Sequence, residues 1–262
     1  MRPWWAGALL CAAGAAVAAS AAPAHVLVIV DGASNWTSLS ARLPAPDALL
    51  YMTPLTVGDT AASPESASTS SAMSTGCIGA RRAVAALGVP LGDRARTAGL
   101  ATAAVTNACL TDPTAAAFFG RSPDRYDAAG LAASIRTAGI GIALMGASRL
   151  FIPANASGDV CFPTTRAQLG AAVRGCPANR TITAGFGDMR SALAAECLHM
   201  PFANTLGTSL PTLTDMTAAV MARTSASVPA TGVFIVVAQD RMDHAVHAGN
   251  QVRMMPTDGD TL

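Results

Sequence analysis

The chain contains no lysine; all 17 of its Lys/Arg positions are arginine. A GC-rich coding bias accounts for that as well as any function does, so the arginines are read one at a time. Charge of either sign is scarce, and the formal net charge is only +1. That balance excludes the basic face a nucleic-acid partner needs. Beyond the N-terminus no apolar run reaches the roughly 20 residues of a membrane span. The high hydrophobic fraction, 51%, is largely alanine and does not by itself mean membrane. There is no internal repeat and no clear linker. A chain of 262 residues without either reads as one sizeable domain with a real core.

The N-terminus has the layout of a secretory signal: Arg2, an apolar run from Ala6 to Ala19, and the small-residue cleavage site Ala19-Ser20-Ala21. Residues 1–21 are therefore expected to be a signal peptide, and residues 22–262 the folded part, exported to the periplasm or beyond. Leu10 stands where a lipobox wants a small residue, so Cys11 does not read as a lipoprotein anchor. Export permits disulfides. The remaining cysteines are Cys77, Cys109, Cys161, Cys176 and Cys197, and their odd number leaves at least one thiol over. Cys161 and Cys176, flanking a short amphipathic segment, are the first pair expected.

Strands and helices alternate. His25–Gly32 is a continuous apolar run ending in Asp31-Gly32 and suits a central parallel strand. Ser63–Gly76 is rich in small hydroxyl residues and leads into a helix extending to about Val84. Strands are expected at 99–106, 141–146, 180–186 and 233–238. Helices are expected from Asp112-Pro113, over 127–137, 165–174 and 212–225. This alternation indicates an α/β fold with a mostly parallel central sheet flanked by helices.

In such sheets ligands bind beyond the carboxyl ends of the strands. Asp31 lies at one such end. Asp243 and His247, four residues apart after the last strand, would share a helix face and suit zinc. A serine at the start of the Ser-rich helix would have unpaired N–H groups and the positive dipole end beside it, a setting for phosphate. Each feature also has an ordinary role: an Asp-Gly turn, a helix-surface pair, an N-cap.

Their order along the chain resembles the alkaline phosphatases. Val28-Ile29-Val30-Asp31-Gly32 is similar to that family's opening strand with its metal-bridging aspartate. Glu65-Ser66-Ala67 followed by Ser74-Thr75-Gly76 resembles its nucleophile segment. Asp112-Pro113-Thr114 resembles its magnesium segment, and Arg125 follows at the spacing of its phosphate-binding arginine. Leu144–Phe151, Pro211–Thr217 and Phe234–His247 resemble three further stretches. The resemblance implies hydrolysis of small phosphate monoesters through a phosphoserine intermediate. Ser66 would be the nucleophile and Arg125 the phosphate clamp. Asp31, Asp112, Thr114, Asp243 and His247 would be ligands for two zinc ions and one magnesium. It also implies a possible homodimer.

Three departures qualify the resemblance. Glu65 stands for an aspartate. Ala238 stands where the family has a magnesium-binding glutamate. The sequence ends at Gly259-Asp260-Thr261-Leu262, where the family continues to further zinc ligands. The expectation is thus an incomplete family domain with impaired activity. The alternatives are a non-catalytic periplasmic protein that keeps an anion pocket, and a related phosphodiesterase or sulfatase-type hydrolase. His199 and His244 are expected to be surface histidines, with a neighbouring site residue as the alternative for His244.

Overall fold

The computed structural model describes residues 23–31, 65–153, 155–186, 197–202, 205–227 and 231–247. The expected signal peptide, the loop expected over 37–62 and the last residues of the chain lie outside these.

The strands are β1 (Ala24–Val30), β2 (Ala101–Thr106), β3 (Ile142–Ser148), β4 (Ile182–Phe186), β5 (Cys197–Leu198) and β6 (Val233–Gln239). The helices are α1 (Ser66–Thr75), α2 (Leu91–Thr97), α3 (Pro113–Ala116), α4 (Ala128–Thr137), α5 (Arg166–Gly175), α6 (Leu213–Ser227) and α7 (Arg241–His247). Five strands form a parallel sheet in the order β1-β6-β2-β3-β4, and β5 pairs antiparallel with the end of β3. This is the α/β fold with a mostly parallel sheet that the alternation indicates. Among the described residues β1 pairs on one side only and is half-exposed, whereas its apolar run suits a central position. β6 has neighbours on both sides, as β2 and β3 do, and takes an interior position.

The side-chain period of a strand divides the core into two layers. Phe234, Val236 and Ala238 of β6 pack with Ala104, Met145, Ala67 of α1, Phe118 and Leu131 of α4. Val233, Ile235 and Val237 pack on the other face with Val105, Leu144, Ile182, Leu169 of α5 and Met216 of α6. A strand apolar on both faces is what helices covering both sides of a sheet require. The expected Cys161–Cys176 disulfide staples α5 into the second layer. Cys109 is also disulfide-bonded, and Cys77 carries a free thiol.

Helix α1 is shorter than expected. It ends at Gly76, whose φ of 75° is left-handed and whose N–H donates to the Ala72 carbonyl at 2.9 Å. Its buried hydroxyls work on the irregular segment that follows. Ser71 Oγ donates to the Ala67 carbonyl at 2.6 Å and accepts from the Ala85 N–H at 2.7 Å. Ser74 Oγ accepts from the Leu91 N–H at 3.1 Å. Such groups must be paired when buried, so the Ser-rich run is a fastening for residues 76–91.

Ser71→Ala is expected to leave the buried Ala85 N–H unpaired and lower unfolding free energy by about 1–3 kcal/mol. Urea denaturation of the wild type and the variant measures it.

Candidate active site

Three of the expected site residues, Asp31, Ser66 and Thr114, meet at the carboxyl end of the sheet. Asp31 directly follows β1, and its N–H donates to the Gln239 carbonyl of β6 at 3.2 Å. Ser66 is the first residue of α1, and its Oγ donates to Asp31 Oδ2 at 2.8 Å. Thr114 on α3 donates to the same carboxylate oxygen, also at 2.8 Å. Pro at the first position of α3, with Asp112 as the preceding residue, sets that turn beneath the sheet ends. Asp31 therefore links the end of a strand to the starts of two helices.

Glu65, immediately before Ser66, reaches the other way. Its Oε2 meets Arg125 Nη1 at 3.2 Å, and its Oε1 accepts from the Arg82 backbone N–H. Arg82 has φ 69°, an uncommon left-handed conformation for a residue with a side chain. The Arg125 N–H donates to the Arg82 carbonyl at 2.7 Å. Both guanidinium groups lie beside the exposed Tyr126 ring, at 5.4 and 5.8 Å from its centroid. Arg125 is thus anchored through one nitrogen and part-buried, not a freely solvated side chain.

Helix α7 carries Asp243 and His247 on one face, with His247 Nε2 and Asp243 Oδ2 3.4 Å apart. The His247 side chain is largely exposed and Asp243 is turned inward. Burial first, and then the Asp31 charge, push the Asp243 carboxyl above its ordinary pKa; His247 acts in the opposite direction.

The expectation of two surface histidines is not met. The rings of His199 and His244 lie 4.4 Å apart, and His244 Nε2 faces Asp112 Oδ2 at 3.4 Å. One ligand atom from each of Asp112, His199 and His244 falls within 4.8 Å of the others. Asp112 is thereby joined to α7 and to the segment after β5. The close approach of β5 to β3 delivers His199: a Cβ on Gly146 would lie 2.2 Å from the Leu198 carbonyl oxygen. That contact is invisible in sequence. The hydrogen bonds also set the imidazole protons. Arginine only donates, and Arg241 Nη1 lies 3.0 Å from His244 Nδ1. The Cys109 N–H donates to His199 Nδ1 at 3.3 Å. With both δ nitrogens accepting, each neutral ring carries its proton on Nε2. In that tautomer His244 turns its Nε2 proton toward Asp112, and neither Nε2 offers a lone pair to a metal.

Asp240 is the acid that the motif comparison passes over. It follows β6 directly and is 1% exposed. Its Oδ2 accepts from Thr106 Oγ1 at 2.7 Å. Asn107 Oδ1 accepts from the N–H groups of Asp240 and Arg241, at 3.0 and 3.2 Å, and so caps α7. Burial, followed by the charge of Asp112, pushes the Asp240 carboxyl well above the ordinary carboxylate range; the Thr106 hydrogen bond opposes this and Asp31 adds to it.

No family model matches the sequence, and no curated protein matches it. Solved structures do match the fold, and those compared are alkaline phosphatases. The cold-active enzyme of the psychrophile Shewanella sp. superposes with TM-score 0.58 at 18% identity, over 72% of this chain and 46% of its own. The Thermus thermophilus enzyme gives 0.58 at 24% identity, over 72% and 41%. The enzyme from the Antarctic bacterium TAB5 gives 0.60 at 19% identity, over 87% and 68%. The chain therefore has an alkaline-phosphatase-like fold and spans about half the length of the first two neighbours.

His199 supplies a pH prediction. Burial, then the neighbouring His244, lower its pKa from 6.5 to about 4. Between those values the unfolded chain takes up a proton that the folded chain refuses, so this residue's contribution makes stability fall as pH drops through that window. Urea midpoints measured from pH 7 to pH 4 are expected to fall more for the wild type than for His199→Gln.

Proposed function

We propose that this chain is a metal-dependent hydrolase of phosphate esters, with phosphate monoesters as substrate and Ser66 as the nucleophile. The observation that carries the reading is the Ser66 hydroxyl at the start of a helix, bonded to Asp31 at 2.8 Å, with an arginine tethered to the adjacent Glu65. The alkaline-phosphatase-like fold supports it, and a variant of the Antarctic enzyme has magnesium bound.

The donor atoms are tested metal by metal. Asp31, Asp112 and the Thr114 hydroxyl offer hard oxygens, which suit a cation of the magnesium class. Asp243 and His247 suit zinc, but a catalytic zinc uses about three protein ligands. Among the described residues the grouping of three is Asp112, His199 and His244, which adds no third donor to that pair. No step is therefore derived through zinc. A magnesium-class cation beside Asp31, when bound, supplies neutralisation of the negative charge that phosphoryl transfer gathers.

The protein groups divide the remaining work. Arg125 gives one nitrogen to Glu65 and has Nε and Nη2 for two phosphoryl oxygens, a charge-assisted clamp. The first-turn N–H groups of α1, which have no partner within a helix, would add donors to the same anion. Ser66 Oγ attacks phosphorus while its proton passes to Asp31 Oδ2, along the hydrogen bond already present. The Oγ–P bond forms, the ester P–O bond breaks, and the leaving oxygen departs as an alkoxide that takes a proton from solvent. Water then attacks the phosphoserine: its oxygen stays on phosphorus, one of its protons goes to solvent, and the proton held by Asp31 returns to Ser66 Oγ, releasing phosphate and restoring the hydroxyl and the carboxylate. The Cys161–Cys176 disulfide supports a place outside the cytoplasm. Among the described residues no helix is long and apolar enough to cross a membrane.

Turnover of p-nitrophenyl phosphate with magnesium and zinc present tests the reading. Ser66→Ala is expected to lose at least about 10³-fold in rate, as loss of a nucleophile does elsewhere. Arg125→Ala is expected to cost about 10²-fold, chiefly through weaker transition-state binding. Acid quenching should trap phosphate on Ser66. Phosphate binding with neither turnover nor a trapped phosphoserine would make the chain an anion-binding protein instead.

A further inference from the structure

Arg82 stands beside the proposed site, yet only its backbone takes part in the contacts described so far. That backbone has φ 69°, in the left-handed region that favours glycine. The surroundings hold it there. Its N–H donates to Glu65 Oε1, and its carbonyl accepts from the Arg125 N–H at 2.7 Å. Two residues on, Val84 and Ser122 exchange backbone hydrogen bonds, both at 2.9 Å. Ala85, also left-handed with φ 42°, donates its N–H to Ser71 Oγ at 2.7 Å. The turn is thereby fixed both to α1 and to the segment that carries Arg125. An uncommon backbone conformation fixed from two sides points to a use for the side chain mounted on it.

That side chain is uncommitted. Arg82 is exposed, and among the described residues its guanidinium makes no hydrogen bond and no ion pair. It lies 5.4 Å from the centroid of the exposed Tyr126 ring, and the Arg125 guanidinium lies 5.8 Å from the same centroid. Two cations therefore flank one ring, and Glu65 forms its salt bridge with Arg125 alone. The phosphoryl group is already served by Arg125 and the start of α1. A further cation on a rigid mount beside that clamp meets what the phosphoryl group is attached to. An arginine offers a single charge and a planar two-donor fork, which matches a carboxylate.

We propose that Arg82 is a specificity residue: its guanidinium takes a carboxylate on the leaving group, so the site favours phosphate monoesters of hydroxy acids, with the phosphoryl group on Arg125 and the carboxylate on Arg82. The inference rests on the hydrolase reading above and narrows its substrate class.

The test compares 3-phosphoglycerate with glycerol 3-phosphate. These esters share one carbon skeleton and differ in a carboxylate against a hydroxymethyl group. The full chain is assayed with magnesium and zinc present. Wild type is expected to favour 3-phosphoglycerate by about 10-fold in kcat/KM, as a charge-assisted hydrogen bond provides. Arg82→Gly suits the left-handed backbone and retains the N–H and carbonyl that Glu65 and Arg125 use. It is expected to abolish the preference, mainly by raising KM for 3-phosphoglycerate. Arg82→Lys is expected to restore part of it. The wild-type preference should shrink as salt rises, whereas the Arg82→Gly ratio should stay constant. A side chain that merely braced the turn would change both esters alike.

A kcat/KM ratio in Arg82→Gly within about twofold of wild type would overturn the assignment. So would a wild type that treats the two esters alike. If Arg82→Gly does not fold, as judged by circular dichroism, Arg82→Asn carries the same test, because asparagine also tolerates a left-handed backbone. Failure of the hydrolase reading looks different. Without turnover, the ratio is read from dissociation constants by calorimetry. Preferential binding of 3-phosphoglycerate, lost in Arg82→Gly, then supports this assignment and sinks the hydrolase reading alone. Hydrolysis of both esters at a ratio indifferent to residue 82 sinks this one. A wild type that neither hydrolyses nor binds either ester sinks both.

Discussion

Like-charge crowding at the carboxyl end of the sheet is the constraint on which the rest of this structure depends. Parallel pairing of β1 with β6 brings Asp31 and Asp240 out side by side, and Asp112 arrives from the turn into α3. Coulomb repulsion among carboxylates in a partly buried site favours pulling them apart. The fold instead surrounds them with donors: Ser66 and Thr114 on Asp31, Thr106 on Asp240, and the His244 ring facing Asp112. Each donor comes from a different element. The acids hold α1, α3, α7 and the strand ends in one arrangement as much as they are held by them.

The layer beneath explains why this arrangement is tolerated. β6 is apolar on both faces, and helices cover both. The stapled α5 and α6 face contributes none of the residues around Asp31. It provides rigidity, while the α1 and α3 face carries the polar groups. Small residues make the second of these possible. Ala67, Ala115 and Ala116 are fully buried and let the helices approach the sheet closely enough for Ser66 and Thr114 to reach one oxygen of Asp31.

Much of this could be read from the chain. β6 is legible because Val233–Ala238 is unbroken, and the Asp127 start of α4 because a capping acid precedes a periodic run. The meeting of Asp31, Ser66 and Thr114 follows from motif order once the strand ends are known. Helix α2 is not legible: Leu91–Thr97 has one apolar face of a single turn, and it is settled by Gly92 lying against the Phe118 carbonyl at 2.9 Å. His199 escapes notice because a two-residue strand crossing a glycine brings it in. Asp240 escapes because what distinguishes it is burial beside Thr106, a strand neighbour that sequence order does not show.

Glu65 has a consequence of another kind. It sits beside Ser66 and binds both the Arg82 backbone and the Arg125 side chain. The proposed nucleophile and the proposed anion clamp are thereby joined through one carboxylate, and the clamp's reach is set by that side chain's length. A shorter acid at 65 would reach both the Arg82 N–H and Arg125 only with a shift of the 80–85 turn toward it, so the length of residue 65 and the position of that turn are coupled.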